Sequence, residues 1–311
     1  MRTLITGGAG FLGSYLTEEL AKKNHEIIIV DNFSSGKHKN IEHIPSLIIH
    51  DQDIRSLRPK HFRNHPPDVV FHFAAFLGVE NTQRNPINTL SAEIEGTINI
   101  LKVFTDLGVK KFVFASSSEV YGEREICSEE DNTCPKSSYS AAKLVNEHYF
   151  KAYSEIFGLN CLVLRFFNAY GPRQDNRFVV ARFISRALKG EPLYVYDDGT
   201  QTRTFAYVRD SVHLSCLLFE KTKGFEIFNV GNPSPILIID LAKKIKNLTN
   251  SSSEIKFKSF EQAGRLLGYE IFHRQPNMAK AVAKVGPFKW QPLDEGLHST
   301  IDYMKIIYGQ M

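Results

Sequence analysis

The stretch ITGGAGFLGSYL, residues 5–16, places Gly7, Gly10 and Gly13 three apart, between an apolar run and the helical-looking FLGSYLTEELAKKNH. Glycines at this spacing permit a tight turn. They also let the backbone approach a pyrophosphate and let helix pack on strand. The helix N-terminus that follows offers free N–H groups and a positive dipole end to phosphates. Three glycines alone describe many structural turns, so the next acidic residue decides. Asp31 closes the following apolar run, EIIIVD, where a carboxylate meets the adenosine ribose hydroxyls of a dinucleotide. A carboxylate there repels a 2′-phosphate, so the expected cofactor is NAD, not NADP. Asp53, with Ile54, follows the third apolar run and is placed to reach the adenine edge.

Working outward, short β-rich runs alternate with helical stretches. SLIIHDQD, VVFHFAA, KFVFASS and NCLVLRFFN read as strands; TLSAEIEGTINILKVFTDLG and SAAKLVNEHYFKAYSEIFG read as helices. Continuously apolar strands separated by helices imply a parallel sheet covered on both faces. The fold class is therefore α/β, a doubly wound parallel (Rossmann) sheet. Residues 1–168 read as the dinucleotide-binding domain, and FEIFNVG, near 225–231, returns to its sheet. Residues 169–311 change texture, with turn-rich AYGPRQDN, a helix in RFVVARFISRALKG, a strand-and-turn segment EPLYVYDDGTQTRTFAYVRD, and helices in LIIDLAKKIKNLT and EGLHSTIDYMKIIYG. They read as a smaller, interleaved C-terminal substrate-binding lobe.

Composition narrows the partners. A formal charge of +4 with no basic run argues against nucleic acid. No apolar run approaches the roughly 18 residues that span a bilayer. MRTLITGG has no export signal, so the expected setting is cytoplasmic, away from membranes. Cys127, Cys134, Cys161 and Cys216 lack ligand spacing and read as free thiols, with no metal site.

In such a domain, YSAAK puts Tyr139 and Lys143 one helical turn apart on one face. A free phenol has a pKa of about 10 and is a poor base near neutrality. A cation ~4 Å away is worth about 4 kcal/mol at an effective dielectric near 20, enough to lower it substantially. Tyr139 then accepts a proton from a substrate hydroxyl while hydride leaves the carbon.

With TGGAGFLGS, VDNFSSG, FHFAA, SSSEVYG, YSAAK, RFFNAYGPR, GTQTRTFAYVRD and HRQPN, the chain resembles the extended short-chain dehydrogenase/reductase superfamily, in its nucleotide-sugar epimerase/dehydratase branch. The resemblance implies a nucleoside-diphosphate sugar as substrate and a homodimer built on the helices near 97–107 and 140–157. It implies that Phe11, Leu12, Asn32, Ser34, Gly36, Phe73, Ala74, Ala75 and Phe167 join the cofactor site, and that Lys143 holds the nicotinamide ribose. Ser117 matches the serine that bonds the sugar 4-hydroxyl, with Ser118 and Glu119 beside it. Asn168, Arg203 and Arg274 match diphosphate and ribose contacts, and Tyr196 lies by the nucleoside pocket. An Arg fork suits phosphate oxygens. Glu93 stands where many relatives carry asparagine, and its partner is not legible.

Every branch of this family starts by oxidising sugar C4. A 4,6-dehydratase also needs a glutamate base and an acid, and Ser118 is a poor acid beside Glu119. UDP-glucuronate decarboxylases carry Ser-Glu here, and NPINTL is reminiscent of them, yet FLGVENTQRNP lacks their Pro-Pro-x-Tyr pattern. The sequence reading favours a 4-epimerase, with decarboxylase or dehydratase as alternative. A redox sensor without turnover is a third class, disfavoured by the intact Tyr139 and Lys143.

Overall fold

The computed structural model describes residues 1–75, 85–263, 268 and 270–309. The substrate-signature stretch FLGVENTQRNP therefore lies largely outside the described residues.

The seven strands of the central sheet, numbered in chain order, are β1 (Arg2–Thr6), β2 (Glu26–Asp31), β3 (Ile48–Asp51), β4 (Val69–His72), β5 (Lys111–Ser117), β6 (Asn160–Phe166) and β7 (Phe225–Val230). Across the sheet they run β7-β6-β5-β4-β1-β2-β3, and each neighbouring pair is parallel. Strand order reverses between β1 and β4, which opens a crevice at their carboxyl ends. The doubly wound α/β fold read from the sequence is the fold of the chain.

Successive strand side chains point to opposite faces, and here both faces are buried. Ile5, Ile29, Phe71, Val113 and Leu164 enter one apolar cluster; Leu4, Ile28, Val70, Phe112 and Val163 enter the other. That is why these strands read as unbroken apolar runs. Helices α1 (Phe11–Lys22), α2 (Pro86–Asp106), α3 (Ser138–Phe157), α5 (Val208–Lys221) and α7 (Ala279–Val285) cover them, while α6 (Ile238–Leu248) and α8 (Leu293–Gly309) pack on α4 (Val179–Leu188) beyond the sheet. On the second face, Ile100, Leu101 and Phe104 of α2 and Phe150 of α3 close the core. Helix α2 begins earlier than its periodicity suggests, because Pro86 occupies the first turn, where a missing N–H costs nothing.

Beyond residue 169 the elements gather at the carboxyl edge of the sheet. Short ladders join Leu193–Tyr196 to Ile255–Lys258 and Thr202–Thr204 to Pro235–Leu237. Gln275–Pro276 pairs with Ile126–Cys127 and so carries the chain back toward the end of β5. Among the described residues, no helix is long and apolar enough to cross a membrane.

Candidate active site

A cavity of ≈ 380 Å³ lies over the carboxyl ends of the strands at the crevice. Gly7, Gly10, Phe11, Leu12 and Gly13 line its floor. Gly7 holds φ +70°, and a Cβ there would meet the Ala74 nitrogen at 2.7 Å. Gly10 precedes α1 without a side-chain cap, so the first N–H groups of the helix remain for a ligand's phosphates.

Toward β2, the cavity is lined by Asp31, Asn32, Ser34 and Gly36, and further on by Asp53 and Ile54. The Asp31 carboxylate accepts from the Ala9 and Phe33 nitrogens, at 3.0 and 2.9 Å. Burial still pushes its pKa above the ordinary value, against the pull of those N–H groups. Asp53 is engaged by Arg55, with Nη2 2.7 Å from Oδ2. That hydrogen bond holds its carboxyl below the usual range. Both ends of this pair line the cavity.

On the other side of the crevice, the wall comes from the ends of β4, β5 and β6. Phe73, Ala74 and Ala75 line it, with the Phe73 and Ala74 nitrogens both 3.1 Å from the Thr6 hydroxyl that accepts from them. Phe167 and Asn168 line it after β6. The Thr6 hydroxyl also bonds His72 Nδ1 at 2.7 Å, and His72 Nε2 lies 3.0 Å from the Thr97 hydroxyl of α2. Burial, with the nearby Lys143 charge, drives the His72 pKa down to about 3, so the ring is neutral.

Ser137 caps α3. Its hydroxyl accepts from the Ser140 nitrogen at 3.1 Å, and the Ser140 hydroxyl accepts from the Ser137 nitrogen at 2.9 Å. The helix therefore starts just before Tyr139 and sets Lys143 one turn behind it. Both face the cavity.

Their electrostatics differ from the sequence expectation. Lys143 Nζ is 2.9 Å from Glu93 Oε2, with both side chains 2% exposed. Burial pushes the Tyr139 phenol well above its ordinary range; Glu93 and Glu119 add to the rise, while the Ser117 hydroxyl and Arg274 oppose it. In the free protein, then, Lys143 does not yield a lowered tyrosine. Its charge is answered by a carboxylate from the neighbouring helix. This pairing also supplies the partner of Glu93 that the sequence left unread.

Ser117 ends β5, Ser118 and Glu119 open the 3-10 turn after it, and all three line the same pocket. The Ser117 hydroxyl accepts from the Glu119 nitrogen at 3.2 Å, and the Ser137 hydroxyl lies 3.5 Å from Glu119 Oε2. Arg274 lines the pocket and is buried, and its Nε and Nη1 have no hydrogen-bond partner among the described residues. Such groups call for an anion.

Two residues expected at the substrate sit apart from the described cavity lining. Arg203 donates to the carbonyls of Thr202, Phe272 and Ile271, gripping the segment that leads to Arg274. Tyr196 packs near Phe260 and under Arg182. The sequence reading also passed over Arg177 and Phe178, which line the cavity ahead of α4. Their one signal was the turn-rich segment that follows the sixth sheet strand.

Residues 3–231 match the NAD dependent epimerase/dehydratase family. A UDP-N-acetyl-alpha-D-glucosaminuronate decarboxylase of Bacillus cytotoxicus is 38% identical, over 98% of each chain. UDP-glucuronic acid decarboxylase 1 of Xenopus tropicalis is 37% identical over 98% of this chain and 72% of its own length. Among solved structures, a UDP-glucose 4-epimerase of Thermotoga maritima with UDP-glucose superposes with a TM-score of 0.92 at 33% identity, over 99% of this chain and 100% of that one. A glycine-lined cavity, Asp31 in its wall and the Tyr139–Lys143 pair agree with those matches: the chain belongs to the NAD dependent epimerase/dehydratase family.

Proposed function

We propose that this NAD-dependent enzyme decarboxylates a UDP-hexuronate through a transient 4-keto sugar. The observation that carries the reading is the Ser118–Glu119 pair in the cavity that holds Tyr139. Once C4 is a ketone, the C6 carboxylate is that of a β-keto acid, and carbon dioxide leaves without an acid to expel a C6 hydroxyl. A serine suffices at 118 for this chemistry and not for 4,6-dehydration. The two decarboxylase relatives support the same choice, although sequence alone favoured the epimerase.

NAD, which Gly7, Gly10, Gly13 and Asp31 would hold, would supply the acceptor and later the donor of the C4 hydride. Tyr139 takes the C4 hydroxyl proton while Ser117 holds that oxygen. The C5–C6 bond then breaks, and its electron pair passes onto the C4 oxygen, which the two hydroxyls stabilise. Glu119 delivers a proton to C5, and Tyr139 returns its proton to the C4 oxygen, giving a UDP-pentose. The unpartnered N–H groups of Arg274 take the diphosphate. Arg203 acts through that segment, by holding the carbonyls of Ile271 and Phe272. Asn168, lining the cavity, and Tyr196 complete the nucleoside side.

A second reading, 4-epimerisation, is supported by the likeness to the solved UDP-glucose 4-epimerase. Incubation with NAD and UDP-glucuronate or UDP-N-acetylglucosaminuronate separates them. Carbon dioxide and a UDP-pentose are expected. Inversion at C4 of UDP-glucose, with no carbon dioxide from either uronate, would establish the epimerase instead, and binding of NAD without turnover of any sugar would leave the sensor. Exposed Ile87 on α2, and Val145 and Ile156 on α3, support a homodimer through these helices; sedimentation as a monomer at micromolar concentration would exclude it.

A further inference from the structure

The Glu93–Lys143 pair is buried and sets one carboxylate against one ammonium. The backbone that carries Glu93 is anchored at this point. The Glu93 carbonyl accepts from Asn146 Nδ2 of α3 at 3.1 Å and from the Thr97 hydroxyl at 2.8 Å. Thr97 in turn meets the neutral ring of His72 on β4. Among the described residues, the charged or titratable groups around this end of the cavity include His72, Tyr139, Glu119 and Arg274.

Asp31 fixes the adenosine half of the dinucleotide on the β2 side of the crevice, so the nicotinamide half belongs on the β4–β5–β6 side. Glu93, Lys143 and Tyr139 line the cavity there together with Ala115 and Phe166. The oxidised nicotinamide ring is a cation and the reduced ring is neutral. An uncompensated ammonium in a site shielded from water opposes the cation and favours the reduced form. We propose that Glu93 sets the oxidation balance of the bound cofactor, neutralising Lys143 so that the site keeps cationic NAD in preference to NADH. The consequence for turnover is that hydride returns readily to the sugar, and the enzyme does not stall as its NADH complex. Glu93 is thus a positioning residue acting through Lys143. The inference rests on the NAD site and holds for either sugar reaction.

The test needs no sugar. NAD and NADH are titrated into the parent, Glu93→Gln, and the double variant Glu93→Gln with Lys143→Met, and the ratio of dissociation constants is compared. In Glu93→Gln the ratio should move toward NADH by on the order of tenfold. In the double variant, where a neutral pair replaces a neutral pair, it should return to within about twofold of the parent. An unchanged ratio in Glu93→Gln overturns the proposal. Because that variant leaves a buried ammonium unpaired and could fail to fold, the double variant also decides alone: a ratio shifted tenfold from the parent overturns it.

Discussion

Arg165 on β6 and Glu147 on α3 meet through two parallel bonds, Nε to Oε1 at 3.0 Å and Nη2 to Oε2 at 2.7 Å. Both side chains are 4% exposed. The same carboxylate accepts from the Ser116 hydroxyl at 2.5 Å, and the guanidinium lies 4.7 Å from the Tyr121 ring centroid. This pair ties the helix carrying Tyr139 and Lys143 to the strands carrying Ser117 and Phe166. A buried pair broken on one side typically costs about 3–5 kcal/mol. Glu147→Ala should therefore lower unfolding stability by about that amount, measured by denaturant titration. A loss below about 1 kcal/mol, typical of exposed pairs, would contradict this placement.

His72 predicts an acid limb to stability. Its pKa falls from 6.5 to about 3 on folding, so the unfolded chain binds a proton through that interval and the folded chain does not. Stability is then complete above about pH 6.5 and declines as pH falls toward 3. At 1.36 kcal/mol per unit, the decline attributable to this ring is on the order of 5 kcal/mol. His72→Gln keeps hydrogen-bonding capacity without the titration, and its stability should be flatter over that range. Equal slopes in parent and variant would show that other groups carry the acid limb.

Gly13 predicts a failure of the cofactor turn. A Cβ there would meet the Gly7 carbonyl oxygen, a backbone atom, at 2.0 Å, whereas at Gly10 the same contact is 3.1 Å. Gly13→Ala should cost at least about tenfold in NAD affinity, a loss of roughly 1.4 kcal/mol. Gly10→Ala should cost less. Calorimetric titration of both variants checks the order, and the reverse order would mean that this loop relaxes more easily than its contacts imply.

The parts of the molecule written into local pattern were legible in the chain, and the parts made by distant pairing were not. Strands such as Val69–His72 are buried on both faces, so their apolar runs announce the parallel sheet. Tyr139 and Lys143 share one helix, and their spacing is visible in four letters. Glu93 and Lys143 sit on different helices, so no spacing rule pairs them. Arg203 shows the opposite limit. An arginine that grips backbone carbonyls reads the same, in sequence, as one that grips phosphate. Helix α5 was hidden because a strand-and-turn reading ran on into Val208–Asp210, where the chain turns helical against the core.

Glu119 separates the two reactions that the family leaves open. It lines the cavity, and its charge helps to raise the pKa of Tyr139, so on the proposed reading a carboxyl group lies near the reacting sugar carbons. In 4-epimerisation no proton moves at C5, and Glu119→Gln, close in size and still able to hydrogen-bond, should leave activity within a few-fold. In decarboxylation C5 must gain a proton before hydride can return to C4. Removing the donor should then slow formation of the UDP-pentose by about 10²–10⁴-fold, while oxidation at C4 proceeds. Reduced nicotinamide should accordingly build up on the variant when a UDP-hexuronate is added, seen by its absorbance. Glu93→Gln should also accumulate reduced cofactor, but for a different reason, and the two are separable without substrate. Glu119→Gln should keep the parent ratio of NAD to NADH affinity, because its effect lies in the proton at C5 and not in the charge beside Lys143. A full-speed Glu119→Gln enzyme that inverts C4 and releases no carbon dioxide would return the protein to the epimerase reading.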